Sequence, residues 1–175
     1  MISIKKATQT DAPVIALLAR VTFTESFGHY FRDKQDIFDY FEKKFSVEKM
    51  KSSLQKENNV FWIAYWNDLP IGFLKLKKYS PVESLGDKAV SQLQKIYLLK
   101  EFIGKRIGNE LMKEAESYML ANNLRHMWLS VLIFNDIAIK FYTKNGFSQI
   151  GTQMYQIGKE TFHYYVLYKQ IGNAE

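Results

Sequence analysis

The stretch from Gln94 to Met112 constrains the chain more than any other. Ile96, Leu98 and Leu99 are apolar and strand-compatible, and Tyr97 suits a pleated surface. Ile107, Leu111, Ala115, Tyr118 and Met119 then recur at helical spacing. A strand therefore feeds a helix with only a short turn between them. The turn holds Gly104 and Gly108, four residues apart, and the spacing puts both on one face of the first helical turns. The opening N–H groups of a helix have no partner inside it, so such a junction can cradle an anion. Lys105 and Arg106 add positive charge at the same place. The implied ligand is a phosphate-bearing cofactor. Neither a glycine-lysine-serine/threonine ending nor the dinucleotide fingerprint is present. Taken alone, the segment is equally an ordinary glycine-containing helix start with solvated charges.

The chain has 175 residues, room for one domain with a sizeable core, and the expectation is a single domain over residues 1–175. The 47% hydrophobic and 15% aromatic content argues against disorder. The absence of cysteine removes disulfides, thiolate metal sites and a cysteine nucleophile, and fits a reducing cytoplasm. The N-terminus has no signal-peptide pattern, and no apolar run reaches membrane-spanning length. The net charge of +6 suits nucleic acid or an anionic small molecule. The lysines are scattered, which favours the small molecule. The expected partners include neither nucleic acid nor membrane, and no metal is expected.

Ile2 and Ile4 alternate with polar neighbours in a first strand. Thr10, Asp11 and Pro13 read as a helix start, followed by a stripe of Val14, Leu17, Leu18 and Val21 that ends in a loop near Gly28. A second helix runs from about Asp33 to Phe45, with Ile37, Tyr40, Phe41 and Phe45 on one face, and a short third reaches Leu54. Residues 60–66 and 71–77 make a hairpin around Asn67-Asp68. Residues 79–89 read as a loop. After the central strand, turn and helix come a strand from His126 to Leu132 and a helix from Asn135 to Lys144 capped by Asn145-Gly146. Two strands then close the chain around a Gly158-Lys159 turn, with a polar tail expected to fray. The whole is a mixed α/β chain.

Asn135 opens its helix directly after a strand, and Tyr142 follows two turns later on nearly the same face. Such a pair can line one groove, the amide holding a ligand and the phenol near its reactive end. Tyr142 is otherwise a half-buried core residue.

In this order, the two constellations resemble the GCN5-related N-acetyltransferase (GNAT) superfamily. Its cofactor motif (glutamine or arginine, two residues, glycine, one residue, glycine or alanine) falls on Ile103, Arg106 and Gly108, of which only Gly108 matches. Its second motif falls on Asn135, Ala138, Tyr142, Gly146 and Phe147, all matching. The aromatic segment Thr22 to Phe27, the strand Phe61 to Trp66 and the approach Ser91 to Tyr97 are similar to the PaiA-type polyamine acetyltransferases.

The resemblance implies a central, mixed, mostly antiparallel sheet of about seven strands flanked by helices, with acetyl-coenzyme A in a splay between two parallel strands. The cofactor arm then pairs with the strand main chain at Ile96, Tyr97 and Leu98. The pyrophosphate rests on the amides of Ile103, Gly104, Lys105, Arg106, Ile107, Gly108 and Asn109. Arg106 retains its N–H if it is helical. Asn135 holds the pantetheine, Lys144 or Lys105 meets the 3′-phosphate, the Leu98 N–H faces the developing oxyanion, and Tyr142 protonates the departing sulfur. Gln92 and Gln94 stand where relatives carry a glutamate base. Glu25 is the substitute, with His29 and a water relay through Tyr97 as further candidates. The implied substrate is a small primary amine, spermidine or spermine, attracted by Glu25, Asp33, Asp36, Asp39 and Glu42, and the protein is a monomer or homodimer. The alternatives are acetylation of a protein amino group and a non-catalytic coenzyme A-binding module.

Overall fold

The structure is a computed structural model that describes residues 1–86 and 89–172. Asp87 and Lys88 of the expected loop, and the last three residues of the expected fraying tail, lie outside the described residues.

Seven strands form one sheet in the order β1-β2-β3-β4-β5-β7-β6. They are β1 (Ile2–Lys6), β2 (Asn59–Trp66), β3 (Leu69–Lys77), β4 (Ser91–Leu98), β5 (His126–Leu132), β6 (Ser148–Ile157) and β7 (Glu160–Gln170). Every neighbouring pair is antiparallel except β4 and β5, which run parallel. That pair is in register only at Ser91↔Met127 and Gln92↔Trp128. Beyond it the strands part. The expected splay is therefore present, and a β-bulge at Gln94, where the β3–β4 register shifts, bends β4 at the start of the gap.

The helices are α1 (Ala12–Phe27), α2 (Lys34–Lys44), α3 (Val47–Leu54), α4 (Ile107–Ala121) and α5 (Asp136–Lys144). α1, α2 and α3 cover one face through Ile15, Phe23, Phe41, Phe45 and Met50 against Phe61, Ile63 and Phe73. α4 and α5 cover the other through Ile107, Leu111, Met112 and Tyr142 against Leu74, Leu76 and Leu129.

Several local expectations change. The first cap is Thr8, not Thr10: Thr8 and Asp11 form a reciprocal capping box around a 3₁₀ turn, with the Thr8 N–H donating to Asp11 Oδ2 at 2.7 Å. The stripe on α1 also differs. Leu17 is 65% exposed, while Ala12, Ile15, Ala16, Ala19, Thr22 and Phe23 are buried. Small residues carry this face because α1 lies close to the sheet. The aromatic segment from Thr22 to Phe27 is helical. The hydroxyls of Thr22 and Thr24 donate to the carbonyls of Leu18 at 2.6 Å and Arg20 at 2.8 Å, so neither interrupts α1. The helix runs to Phe27 and passes into a 3₁₀ turn, Gly28–Tyr30, instead of a loop. β4 begins at Ser91, three residues before the expected Gln94, and α4 begins only at Ile107.

Candidate active site

β4 ends in the splay with one main-chain edge free. The Leu99 N–H donates to Ile71 O on β3 at 2.9 Å. Strand alternation then turns Tyr97 toward β3 as well, and aims the N–H and C=O of Ile96 and Leu98 into the gap facing β5. The Tyr97 ring lies on the α1–α3 face, edge-on to Phe73.

A 3₁₀ turn, Lys100–Phe102, leads from β4 to the cradle. Gly104 has φ +84° and Arg106 φ +65°, so both precede the helix in left-handed conformations. This corrects two expectations: Gly104 does not share a helical face with Gly108, and Arg106 is not helical but occupies a position that favours glycine. The N–H groups from Gly104 to Gly108 donate to no acceptor among the described residues. A Cβ on Gly104 would meet nothing within 4 Å, so the cradle is open there. Gly108 has a different reason to be small: a Cβ there would stand 3.3 Å from the Phe141 ring, so it admits α5 rather than a ligand. The exposed Arg106 lines the gap, as do Ile103 and Asn109. The Lys105 ammonium sits 4.9 Å from the Phe102 ring centre and 5.8 Å from that of Trp66. The Ile107 side chain is wholly buried, leaving its N–H for the cradle.

α5 forms the opposite bank. Asn135 caps it, Oδ1 accepting from the Ala138 N–H at 3.1 Å, which leaves the amide nitrogen for a ligand. Tyr142 is buried edge-on to Phe141 and Phe147. Burial pushes its phenol well up, so it stays protonated. Its hydroxyl has no hydrogen bond among the described residues, and the ring lines the cavity, as does the exposed Lys144.

The cavity runs through the splay, about 1830 Å³, from the α4–α5 bank to the α1–α3 face. On that second face Glu25 accepts from the Lys100 N–H at 2.9 Å, fastening the end of α1 to the start of the cradle turn. Gln92 accepts from Ser80 at 3.1 Å and Gln94 at 3.3 Å, so the strand offers an amide pair and no carboxylate. His29 is exposed against Tyr30, and His126 is bonded to Tyr168 at 2.8 Å.

The acids expected to attract a polycation are engaged elsewhere. Asp33 pairs with Lys159 at 2.7 Å, and Asp36 accepts from the Lys159 N–H at 2.8 Å. Asp39 accepts from Gln35 and Glu42 pairs with Arg20, each at 2.9 Å. None of the four lines the cavity. Lys75 and Lys95 do, and the sequence reading missed both. Burial, together with the charges of Lys95, Lys77, Lys56 and Lys49, lowers Lys75 to about 7. Burial and Lys44 lower Lys95 to about 8. The available signal was a lysine adjoining an apolar residue in each strand, Leu74-Lys75-Leu76 in β3 and Lys95-Ile96 in β4.

Comparison with known proteins follows this geometry. The model of the acetyltransferase (GNAT) family matches residues 20–147. An uncharacterized N-acetyltransferase of Lactobacillus delbrueckii subsp. lactis is 23% identical over 159 residues, 91% of each chain. The spermidine N(1)-acetyltransferase of Thermoplasma acidophilum is 27% identical over 150 residues, 83% of this chain and 88% of that one. Among solved structures, the PaiA N-acetyltransferase of Thermoplasma acidophilum in complex with coenzyme A has TM-score 0.74 at 23% identity, covering 97% of this chain and 99% of that one. Arabidopsis thaliana NAA60 with a bisubstrate analogue has TM-score 0.76 at 17% identity, covering 99% and 100%. The family match spans most of the chain, and the sheet parts between β4 and β5 as the resemblance implies: the chain belongs to the acetyltransferase (GNAT) family.

Proposed function

We propose that the protein transfers the acetyl group of acetyl-coenzyme A to a primary amine on a small molecule by direct attack. The observation that carries this is two neighbouring stretches of main chain left unpaired among the described residues: Ile96 and Leu98 in the splay and, beyond the bonded turn, the five N–H groups from Gly104 to Gly108. An extended amide-bearing arm ending in a pyrophosphate fits it, the strand edge taking the arm and the cradle taking the phosphates. Bound there, acetyl-coenzyme A supplies the activated thioester.

The chain's own groups supply the rest. The Leu98 N–H, fixed in the gap, would donate to the negative charge developing on the carbonyl oxygen. Of the cavity-lining residues, Asn135 would offer its amide nitrogen to the arm, Arg106 and Lys144 would meet the phosphates, and Tyr142 would serve the leaving sulfur. An ordinary phenol, near 10, already holds its proton more tightly than a thiol, near 8.5, and burial widens that difference. Tyr142 therefore acts mainly as a hydrogen-bond donor to the sulfur, the net proton coming from the amine through water. Glu25 is the cavity carboxylate on the α1–α3 face, and its Oε1 has no hydrogen bond among the described residues, so it is the group assigned to receive the amine proton.

A polyamine acceptor is the finer reading, supported by the likeness to the Thermoplasma spermidine N(1)-acetyltransferase. The lysines at the cavity weigh against it. The same reading puts the reaction in the cytoplasm, in keeping with a cysteine-free sequence; among the described residues no helix is long and apolar enough to cross a membrane.

Thiol release from acetyl-coenzyme A, measured with polyamines, amino acids, amino sugars and peptides, tests the proposal. Turnover with a small amine is expected. Calorimetric binding of coenzyme A without turnover on any acceptor would favour a binding module, and no binding at all would overturn the cofactor assignment.

A further inference from the structure

The acetyl-transfer chemistry leaves one wall of the cavity unused. Lys75 of β3 and Lys95 of β4 are register partners on the face turned toward α1–α3. Lys44 at the end of α2 and Lys49 of α3 line the same cavity. Both strand lysines are half-buried among aromatic rings, Lys95 Nζ 4.9 Å from the Phe45 ring centre and Lys75 Nζ 5.3 Å from that of Phe61. Among the described residues, none of these four ammonium groups pairs with a carboxylate. None of the cavity's carboxylates forms an ion pair with these lysines. Glu110 and Glu116, on α4 across the sheet, pair with Lys113 and Lys169, and Glu25 holds the Lys100 N–H.

Taking an ammonium out of water is costly unless a partner compensates, and a like charge directly across a strand pair adds to the cost. Both penalties act at Lys75 and Lys95, and among the described residues no carboxylate pairs with either to relieve them. The aromatic surround gives only partial compensation. An anion entering the cavity would meet the two half-buried ammonium groups, with the exposed Lys44 and Lys49 on the same lining.

Resting on the acetyltransferase reading above, we infer that this wall binds an oxyacid group, carboxylate or phosphate, carried by the acceptor, so that the substrate is an amine bearing an acid and not a polycation. Lys95 lies three residues before Leu98, about 10 Å along the strand. Acid and amine are accordingly separated by a spacer of several bonds. The acetyl-transfer step itself is unchanged: the free amine forms the N–C bond, the C–S bond breaks, and the amine proton ends on coenzyme A.

The test uses matched acceptors: 5-aminopentanoate against its carboxamide, 3-aminopropyl phosphate against 3-aminopropanol, and spermidine. Thiol release should give kcat/KM at least about tenfold higher for an acid-bearing member than for its neutral twin. The Lys75→Met/Lys95→Met double variant should lose that preference while its KM for acetyl-coenzyme A holds. The two acid arms distinguish carboxylate from phosphate. Equal or better turnover of the neutral twins or spermidine, or a preference that survives in the double variant, overturns the proposal and leaves acetyl transfer standing. A second readout does not need turnover. With coenzyme A saturating the cradle, 3-aminopropyl phosphate or 5-aminopentanoate should raise the thermal midpoint of the wild type and not of the double variant. No thiol release from any acceptor sinks the transferase reading, and the midpoint shift then decides the anion wall alone.

Discussion

Lys75→Met should stabilise the protein, and by an amount that depends on pH in a defined direction. Lys75 is held at about 7 against an ordinary 10.5. That difference corresponds to roughly 5 kcal/mol at 1.36 kcal/mol per pH unit, a ceiling that solvent entering the cavity reduces. The lowered value means that the folded state favours the neutral amine. Between about pH 7 and 10.5 the unfolded chain binds more protons than the folded one, so wild-type stability rises with pH through that window. Below 7 both states carry the proton and the whole penalty persists. Methionine matches the stem and removes the charge. Urea unfolding of wild type and Lys75→Met at pH 6, 7, 8 and 9 isolates this lysine, because other titrations largely cancel in the difference. The variant's advantage should be largest at pH 6 and shrink by about 2 kcal/mol from pH 7 to 9. Parallel stability profiles across that range would refute the claim that Lys75 is buried without a compensating partner.

Three further perturbations separate the roles of the site residues. Tyr142→Phe should lower kcat by about a hundredfold with little change in the KM for acetyl-coenzyme A; a raised KM at constant kcat would reassign the hydroxyl to binding. Glu25→Gln can still accept from the Lys100 N–H, so a fall in kcat/KM without loss of thermal stability marks a proton acceptor, whereas lost stability alone marks a fastening. Gly104→Ala should cost about 1 kcal/mol in urea unfolding, because φ is +84° while nothing crowds the new methyl, and coenzyme A affinity measured by calorimetry should fall with it.

Patterns within single elements could be read from the sequence. The amphipathic faces of α2 and α4, the Asn67-Asp68 turn and the Asn135 cap each follow from residues a few positions apart. Properties that depend on distant segments meeting could not. α1 presents alanines to the sheet because of how closely it packs, and a stripe search weighted toward leucine picks out Leu17, which faces water. Arg106 looks helical by its neighbours, yet the turn needs a left-handed residue there. Gly108 looks like room for a ligand and is room for Phe141, a residue of another helix. The acids of α2 seem free until the β6–β7 turn brings Lys159 to Asp33 and Asp36. Lys75 and Lys95 look like ordinary outward strand positions until α1, α2 and α3 close over that face.

Only two residue pairs join β4 to β5, so the sheet is two half-sheets held at a short seam. The groups of Ile96 and Leu98 that would have extended the seam can bond only to water or to a guest. A guest lying there with its own amides works as a strut between the halves. Amide hydrogen exchange along β4 and β5 is then tied to occupancy of the gap, and the empty protein opens first along the edge of Leu93 to Leu98 that has no partner on β5.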